Sequence, residues 1–235
     1  MRGLLVRVGA DLSAGGGRWN GPMDGRTGQF VYVPIPETRP TRTGLETTYK
    51  SIGATLRNLQ VDLPGHLVDA RTHLDPDFEH LTYGDRGSKG RQLVRNLSES
   101  DVIVFYAGLK DIDMRRLVYA IIGVFVVDKI VPIGDMPTAD FHRNAHTRRM
   151  AQPEPDDVIV FGKAGESGRA ATCVPIGEYR SRAYRVTEPL LAAWGGLSAN
   201  EGYLQRSAVF PSLMNATAFW EWWSAQNVEL VRRNN

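Results

Sequence analysis

A polar run at residues 73–85 carries most of the side chains that could do acid–base chemistry. Its sequence, HLDPDFEHLTYGD, holds two histidines, three aspartates, one glutamate and one tyrosine. A histidine oriented by a carboxylate can take up and return a proton near neutral pH. We therefore predict that His80, Tyr83 and Asp85 are catalytic. A solvated loop, with a turn favoured by Asp75-Pro76, is the alternative.

The same run contains side chains of the types that bind metals. An EF-hand loop that began at Asp75 would need glycine at its sixth position, where His80 stands. The spacing is not that of a zinc site, and no cysteine lies nearby. The sequence therefore predicts no bound metal and identifies no cofactor.

A basic segment with two glycines, residues 86–95, follows directly after the polar run. A helix is expected to begin near Ser88, and Arg86, Lys89 and Arg91 surround its start. Free backbone N–H groups at a helix start and cationic side chains both attract phosphate. We predict that these three residues and Arg148, from a later basic segment, bind phosphate. A solvated helix end is the alternative.

A glycine-rich loop at residues 9–28 could receive a base. Trp19 offers a flat face for stacking, and Asp11 and Asn20 could hydrogen-bond to the edge of the base. The glycine spacing matches neither GxGxxG nor GxxxxGK[ST], and packing of Trp19 on the core is the alternative. The full predicted substrate-binding set is Asp11, Trp19, Asn20, Asp75, Tyr106, Asn144 and His146.

Short apolar runs predict the strands that must position these side chains. They lie at residues 3–8, 30–35, 102–106, 117–131, 157–161 and 171–176. The polar turn at residues 110–116 predicts an antiparallel pair, and Gly123 predicts a bulge or close approach in the second strand.

Three segments have helical spacing, residues 45–59, 138–150 and 217–226. In the second of them, Thr138 is the predicted N-cap, and His142 and His146 lie four apart on the predicted helix face. The pattern as a whole predicts an α+β fold. We expect a single domain over residues 1–235, with a mixed, mostly antiparallel, barrel-like sheet flanked by helices.

The composition restricts the classes of function. The chain has 235 residues and a formal net charge of +2, so it is not a polycation, although a local basic face remains open. One cysteine excludes an intrachain disulfide and fits a reducing compartment. The longest apolar run is far shorter than a membrane span. We therefore predict a soluble, cytoplasmic protein without a membrane partner.

The chain resembles the third nucleotide-modification-associated domain family. The resemblance is carried by the strings LLVRVGAD, WNGP with Asp24, FVYVPIPE, HLDPDFEHLTYGD, DVIVFYAGL, IIGVFVV, NAH and VIVFGK. It implies a role in phage and bacterial nucleic-acid modification systems. The implied partners are a nucleic acid or nucleotide and other proteins of such systems. The resemblance gives a process rather than a reaction.

A shorter stretch is similar to the strand pair of EVE and related PUA-like domains. The strings SDVIVFYAG and IIGVFVVDKI carry this similarity, which implies a barrel-like sheet with a base pocket at its mouth. The polar run at residues 73–85 departs from that pattern.

Two functions from different classes are consistent with these residues. The first is an enzyme that modifies a nucleobase or nucleotide. The second is a non-catalytic reader, in which Trp19 and Tyr106 stack on a modified base held in a PUA-like pocket.

Overall fold

The computed structural model describes residues 1–13, 16–17, 19–205 and 207–235. Gly15 and Arg18 of the predicted glycine-rich loop therefore lie outside the described residues.

The described residues form strands, short α-helices and 3-10 helices. The strands are β1 (Gly3–Arg7), β2 (Pro22–Met23), β3 (Ile35–Pro36), β4 (Thr72–His73), β5 (Thr82–Asp85), β6 (Val102–Asp111), β7 (Leu117–Pro132), β8 (Val158–Gly162), β9 (Gly168–Pro175), β10 (Gly177–Arg180), β11 (Ala183–Val186) and β12 (Leu230–Val231). The α-helices are α1 (Gly53–Asn58), α2 (Gly87–Asn96), α3 (Ala145–Arg148), α4 (Glu188–Ala193) and α5 (Ala216–Ala225). The 3-10 helices are Tyr49–Ile52, Gly65–Leu67, Ile133–Asp135, Thr138–Arg143 and Asn200–Gly202.

One mixed sheet of eight strands organises the fold. Its main path runs β1-β6-β7-β8-β5, with β2 on β6, β9 on β7 and β12 on β9. β1 and β2 pair with β6 in parallel, and the other pairs are antiparallel. The predicted α+β class with a mixed sheet is confirmed. The pairings of the described strands do not close the sheet into a barrel.

The predicted antiparallel pair is β6 and β7, which lies at the centre of the sheet. Nine of the ten residues of β6 are buried, and the first eight, VIVFYAGL, form an unbroken buried run, because apolar clusters cover both faces of the strand. Such a strand reads as a continuous apolar run rather than an alternating one. On the second face, α5 packs its Phe219 and Trp223 against the sheet and against Trp194.

Gly123 lets the polar run dock on the sheet. The pairing of β7 with β9 shifts register between Ile121 and Gly123, as predicted for a bulge. A Cβ at Gly123 would lie 2.5 Å from the Phe78 ring and 2.6 Å from the carbonyl oxygen of Gly168. The fully buried Phe78 also contacts the ring of Phe105, with the two centroids 5.7 Å apart. Phe78 therefore anchors residues 73–85 to the core.

The prediction of a regular strand at residues 30–35 is wrong. Phe30 forms one isolated bridge to Met23, and regular pairing is limited to the two residues of β3. Pro34 and Pro36 have no N–H group to donate to a neighbouring strand, so the segment runs extended without a continuous ladder.

The predicted helix at residues 138–150 is divided at Asn144. A 3-10 helix ends at Arg143, Asn144 has an extended backbone, and its side chain accepts a hydrogen bond from the N–H of His146 at the start of α3. Asn144 is therefore the N-cap, and Thr138 is not. The break separates His142 from His146, so the prediction that they share one helix face is wrong.

The predicted helix at residues 45–59 begins late. Residues 49–52 form a 3-10 helix and α1 follows at Gly53. Thr47 before it is held extended, because its carbonyl accepts the N–H of Thr72 at the start of β4. None of the helices in the described ranges has the length and apolar character that crossing a membrane would require.

Candidate functional site

A cleft of about 270 Å³ opens where the end of β1 meets β5, the start of α2 and α3. Its lining includes Arg7, His73, Asp75, Tyr83, Gly84, Asp85, Arg86, Lys89, Tyr106, His146, Arg149 and Phe210. Its volume is close to the lower end of the range for small-molecule sites.

Tyr83 and Asp85 form a hydrogen-bonded pair on one wall of the cleft. The Tyr83 hydroxyl donates to Oδ2 of Asp85 at 2.8 Å, and the N–H of Arg86 donates to Oδ1 at 2.9 Å. Burial, followed by the neighbouring Asp85 carboxylate, raises the pKa of Tyr83 well above its ordinary value. Tyr83 therefore keeps its proton and fixes the orientation of the Asp85 carboxyl group.

His73 is held by Glu37 and Arg149. Its Nδ1 lies 2.8 Å from Oε2 of Glu37, which also accepts from Nε of Arg149 at 2.9 Å. Burial would raise the pKa of Glu37, but hydrogen bonds from His73 and Arg149 outweigh it and lower that pKa to about 2. Burial also lowers the pKa of His73, against the opposing hydrogen bond to Glu37. A neutral His73 that donates from Nδ1 to this carboxylate keeps an unprotonated Nε2.

His73 Nδ1 also lies 3.1 Å from Nη2 of Arg149. The guanidinium can only donate, so the two contacts assign opposite roles to Nδ1. We assign the proton to Nδ1, because the shorter contact to a carboxylate requires a donor there.

Asp75 and His146 lie beside His73. Oδ1 of Asp75 accepts from the N–H of Gly84 at 2.9 Å and from Nδ2 of Asn144 at 2.8 Å. Oδ2 of Asp75 lies 3.6 Å from Nε2 of His146, and the rings of His73 and His146 have centroids 4.9 Å apart. Asn144 thus positions both neighbours, since it also caps the turn that carries His146.

Cationic side chains occupy the mouth of the cleft. The guanidinium of Arg86 forms no hydrogen bond or ion pair with the described part of the chain. Nζ of Lys89 lies 5.0 Å from the centroid of the Phe210 ring, and Nη2 of Arg7 pairs with Asp11 at 2.6 Å. Arg86 is the N-cap of α2, and its side chain does not cap the helix. The first N–H groups of the helix, which have no acceptor within the helix, follow Arg86 directly.

His80 and Arg148 lie away from the cleft, in a buried cluster around Asp77. Oδ2 of Asp77 accepts from Nη2 of Arg148 at 2.7 Å and contacts Nδ1 of His80 at 3.0 Å, while Nδ2 of Asn234 donates to Oδ1 at 3.0 Å. The His80 ring packs against His142, with centroids 5.2 Å apart. The structure therefore does not place His80 with Tyr83 and Asp85, nor Arg148 with the other predicted phosphate ligands.

The residues predicted to bind a base are also dispersed. Trp19 packs against a separate apolar cluster around α1, and Nδ2 of the buried Asn20 donates to the carbonyl of Gly108 at 2.7 Å. Tyr106 lines the cleft, but its ring is buried and its hydroxyl donates to the carbonyl of Leu204. Asp11 pairs with Arg7, which lines the cleft.

The remaining predicted phosphate ligand, Arg91, points away from the cleft. It is exposed and paired with Asp156. The structure thus brings together Asp75, Tyr83, Asp85, Arg86, Lys89, Tyr106 and His146 of the predicted set, with Asn144 directly behind them.

Arg7, Glu37 and Arg149 contribute to the cleft although no chemical motif marks them. Arg7 and Glu37 stand within the strings LLVRVGAD and FVYVPIPE, which carry the family resemblance. That resemblance is the sequence signal that could have indicated them. His73, considered in the sequence only as a metal ligand, lines the cleft as well.

Replacing Gly84 by alanine is expected to disturb this site. The new Cβ would lie 2.7 Å from Cδ2 of His146 and 2.9 Å from Oδ1 of Asn144. Overpacking of this kind costs about 1–3 kcal/mol. Urea unfolding should show that loss, whereas Gly134→Ala, which meets no atom within 4 Å, should change stability little. Equal stabilities for the two variants would contradict this packing.

Comparison with known proteins gives one match. The family model described as nucleotide modification associated domain 3 matches residues 2–226. No curated protein matches the chain. No solved structure matches it.

Proposed function

Because the chain belongs to the nucleotide modification associated domain 3 family, we propose that it is an enzyme that modifies a nucleobase or nucleotide in the cleft. The family description supports a role in nucleotide modification systems. The observation that carries the finer proposal is that one cleft combines Arg86, whose guanidinium has no partner among the described residues, with buried groups on its walls that could transfer protons.

The mouth of the cleft suits a phosphate group. Arg86 has a guanidinium free to form two parallel hydrogen bonds to phosphate oxygens, and Lys89 adds a second positive charge one helical turn later. The start of α2 follows Arg86 directly, and the positive end of the helix dipole favours an anion near it. The phosphate of a nucleotide would therefore be held at the start of α2.

The inner wall suits a nucleobase. Asp85, oriented by the Tyr83 hydroxyl, would accept a proton from the substrate. His146 and Asp75 lie across the same cleft and offer a second imidazole–carboxylate combination. In this proposal these residues take over the role predicted for His80.

Domain organisation, location and partners are part of the same proposal. The chain would act as one domain, in the cytoplasm of a bacterium or a phage-infected cell, on DNA, RNA or a free nucleotide, beside other proteins of a modification system. The PUA-like, barrel-like interpretation of the sheet stays a prediction. The reader alternative is less favoured, because Trp19 packs partly buried against the cluster around α1, and Tyr106 is buried with its hydroxyl bound to the carbonyl of Leu204.

Nucleotide binding tests the phosphate end of the proposal. The double variant Arg86→Ala/Lys89→Ala is expected to weaken nucleotide binding about 10- to 100-fold, because it removes charge-assisted hydrogen bonds to phosphate. Isothermal titration with a panel of nucleoside monophosphates measures this effect. Arg95→Ala, an exposed arginine on the same helix that does not line the cleft, should bind as the unmodified chain does.

Salt dependence identifies the form of the substrate. Affinity for a polynucleotide should fall steeply as salt rises, whereas affinity for a free nucleotide should change little.

Equal nucleotide affinity in the Arg86→Ala/Lys89→Ala variant and in Arg95→Ala would contradict the phosphate site.

A further inference from the structure

We propose that His73, Asp75 and His146 bind one divalent first-row transition-metal ion at the inner end of the cleft. Each residue offers one ligand atom, and the three atoms lie within 4.8 Å of one another. This goes beyond the proposed function and does not depend on it, because metal binding can be measured without a nucleotide.

The donor set suits such an ion. Two imidazoles and one carboxylate are a combination that proteins use for Fe²⁺ and Zn²⁺, while Mg²⁺ and Ca²⁺ favour oxygen ligands. Donor atoms about 2.1 Å from a shared ion lie roughly 3 to 3.5 Å from one another. The 3.6 Å between Nε2 of His146 and Oδ2 of Asp75 is already close to that spacing. The remaining separations lie within 4.8 Å, so the third atom needs to approach by little more than about 1 Å.

The second atoms of two of these ligands, His73 and Asp75, are already engaged. Nδ1 of His73 is bound by Glu37, which leaves Nε2 for the ion. Oδ1 of Asp75 is bound by the N–H of Gly84 and by Asn144, which leaves Oδ2. Metal-binding histidines characteristically donate their other ring N–H to a carboxylate, and ligating carboxylates are themselves hydrogen-bonded. The surroundings thus leave Nε2 of His73 and Oδ2 of Asp75 available beside Nε2 of His146.

A direct contact between the protein groups explains the cluster less well. The 3.6 Å separation of Asp75 and His146 is too long for a hydrogen bond. The side chains of His73, Asp75 and His146 are only 7%, 5% and 9% exposed, so water reaches the carboxylate poorly. Burying an ionised group costs free energy unless a partner compensates it, and a bound cation would supply that partner.

The proposed ion would keep positions open toward the substrate. Three protein ligands on one side leave at least one coordination position for water or a substrate atom, as in catalytic metal sites. Asp85 and Arg86 line the same cleft, so a substrate bound there would meet both the ion and the proton acceptor.

Cobalt titration of the full chain tests the site. The protein, without a histidine tag and stripped of metal with EDTA, is titrated with Co²⁺ and followed by visible absorption and equilibrium dialysis. We expect one ion per chain, displaced by Zn²⁺. His73→Ala and His146→Ala should each weaken binding about 100-fold or more, because losing a ligand costs at least as much as losing a residue that orients one.

His142→Ala is the matched control, since His142 lies in the preceding turn and outside the cleft. It should bind Co²⁺ as the unmodified chain does. Asp75→Asn provides a gentler variant if an alanine variant does not fold, because it keeps an oxygen for Gly84 while removing the charge; it should weaken binding about 10-fold or more. Thermal melting of the metal-free variants reports their folding.

Three results would overturn the proposal. The first is an unmodified chain that binds less than one Co²⁺ per molecule at micromolar protein. The second is a folded His146→Ala or Asp75→Asn variant that binds as tightly as the unmodified chain. The third is a loss of binding in a folded His142→Ala variant equal to that in His146→Ala, which would show that binding is not specific to His73, Asp75 and His146.

Discussion

Replacing Asp85 by asparagine is expected to lower the rate of nucleobase modification about 100- to 10,000-fold, which is the usual contribution of a positioned general acid or base. Asparagine has nearly the same shape and can still accept the Tyr83 hydroxyl, but it cannot take up a proton. The fold should survive, because Asp85 is only partly buried and forms no ion pair with the described residues. The affinity of the variant for a nucleotide should stay within a few-fold of that of the unmodified chain, because the fold and the phosphate-binding side chains are kept.

Mass spectrometry of nucleosides from cells that express each variant measures this effect. Asp62→Asn makes the same chemical change at an exposed position outside the cleft and should keep full activity. Persistent modification by a folded Asp85→Asn variant would exclude Asp85 as the proton acceptor. Loss of modification in both variants would indicate a general effect on folding or expression instead.

Replacing Asp77 by asparagine is expected to lower the free energy of unfolding by about 3 kcal/mol or more. The buried Arg148 would keep its charge and lose its only described carboxylate partner, and breaking one side of a buried ion pair costs about 3–5 kcal/mol. Asn234 and His80 would lose the same charged acceptor. Asp77 therefore ties the polar run and α3 to the end of the chain.

Urea unfolding of Asp77→Asn and Asp62→Asn provides the comparison. The exposed Asp62 should contribute less than about 0.5 kcal/mol. If the Asp77 variant retained the stability of the unmodified chain, the cluster around Asp77 would not have the structural role assigned to it. An accompanying loss of modification that is not explained by unfolding would restore a catalytic role for His80.

The sheet is the part of the fold that the sequence predicts best. Long, nearly uninterrupted apolar runs define β6 and β7, and the polar turn between them requires an antiparallel pair. The helix at residues 138–150 could not be predicted correctly, because Asn144 competes with the helix by capping the N–H of His146. Periodicity alone does not show which of two local hydrogen-bonding patterns prevails.

The sequence predicts which segment of the chain carries the candidate site, but not which side chains pair with one another there. Tyr83, Asp85, Arg86 and Lys89 follow one another along the chain, so their proximity is a local property. The partners of the histidines are not local. His80 pairs with a carboxylate three residues before it, whereas His146 reaches Asp75 from 71 positions away. Residue types along a sequence identify such groups, and only the packing of distant segments decides which of them meet.

Photo-cross-linking with an azido-purine nucleotide, followed by peptide mapping, tests most directly whether the cleft is where a nucleotide binds. We predict adducts within residues 73–89 and 146–149, abolished by excess unmodified nucleotide and strongly reduced in Arg86→Ala/Lys89→Ala. Adducts concentrated beside Tyr179 and Tyr184, at the separate pocket next to β10 and β11, would contradict it.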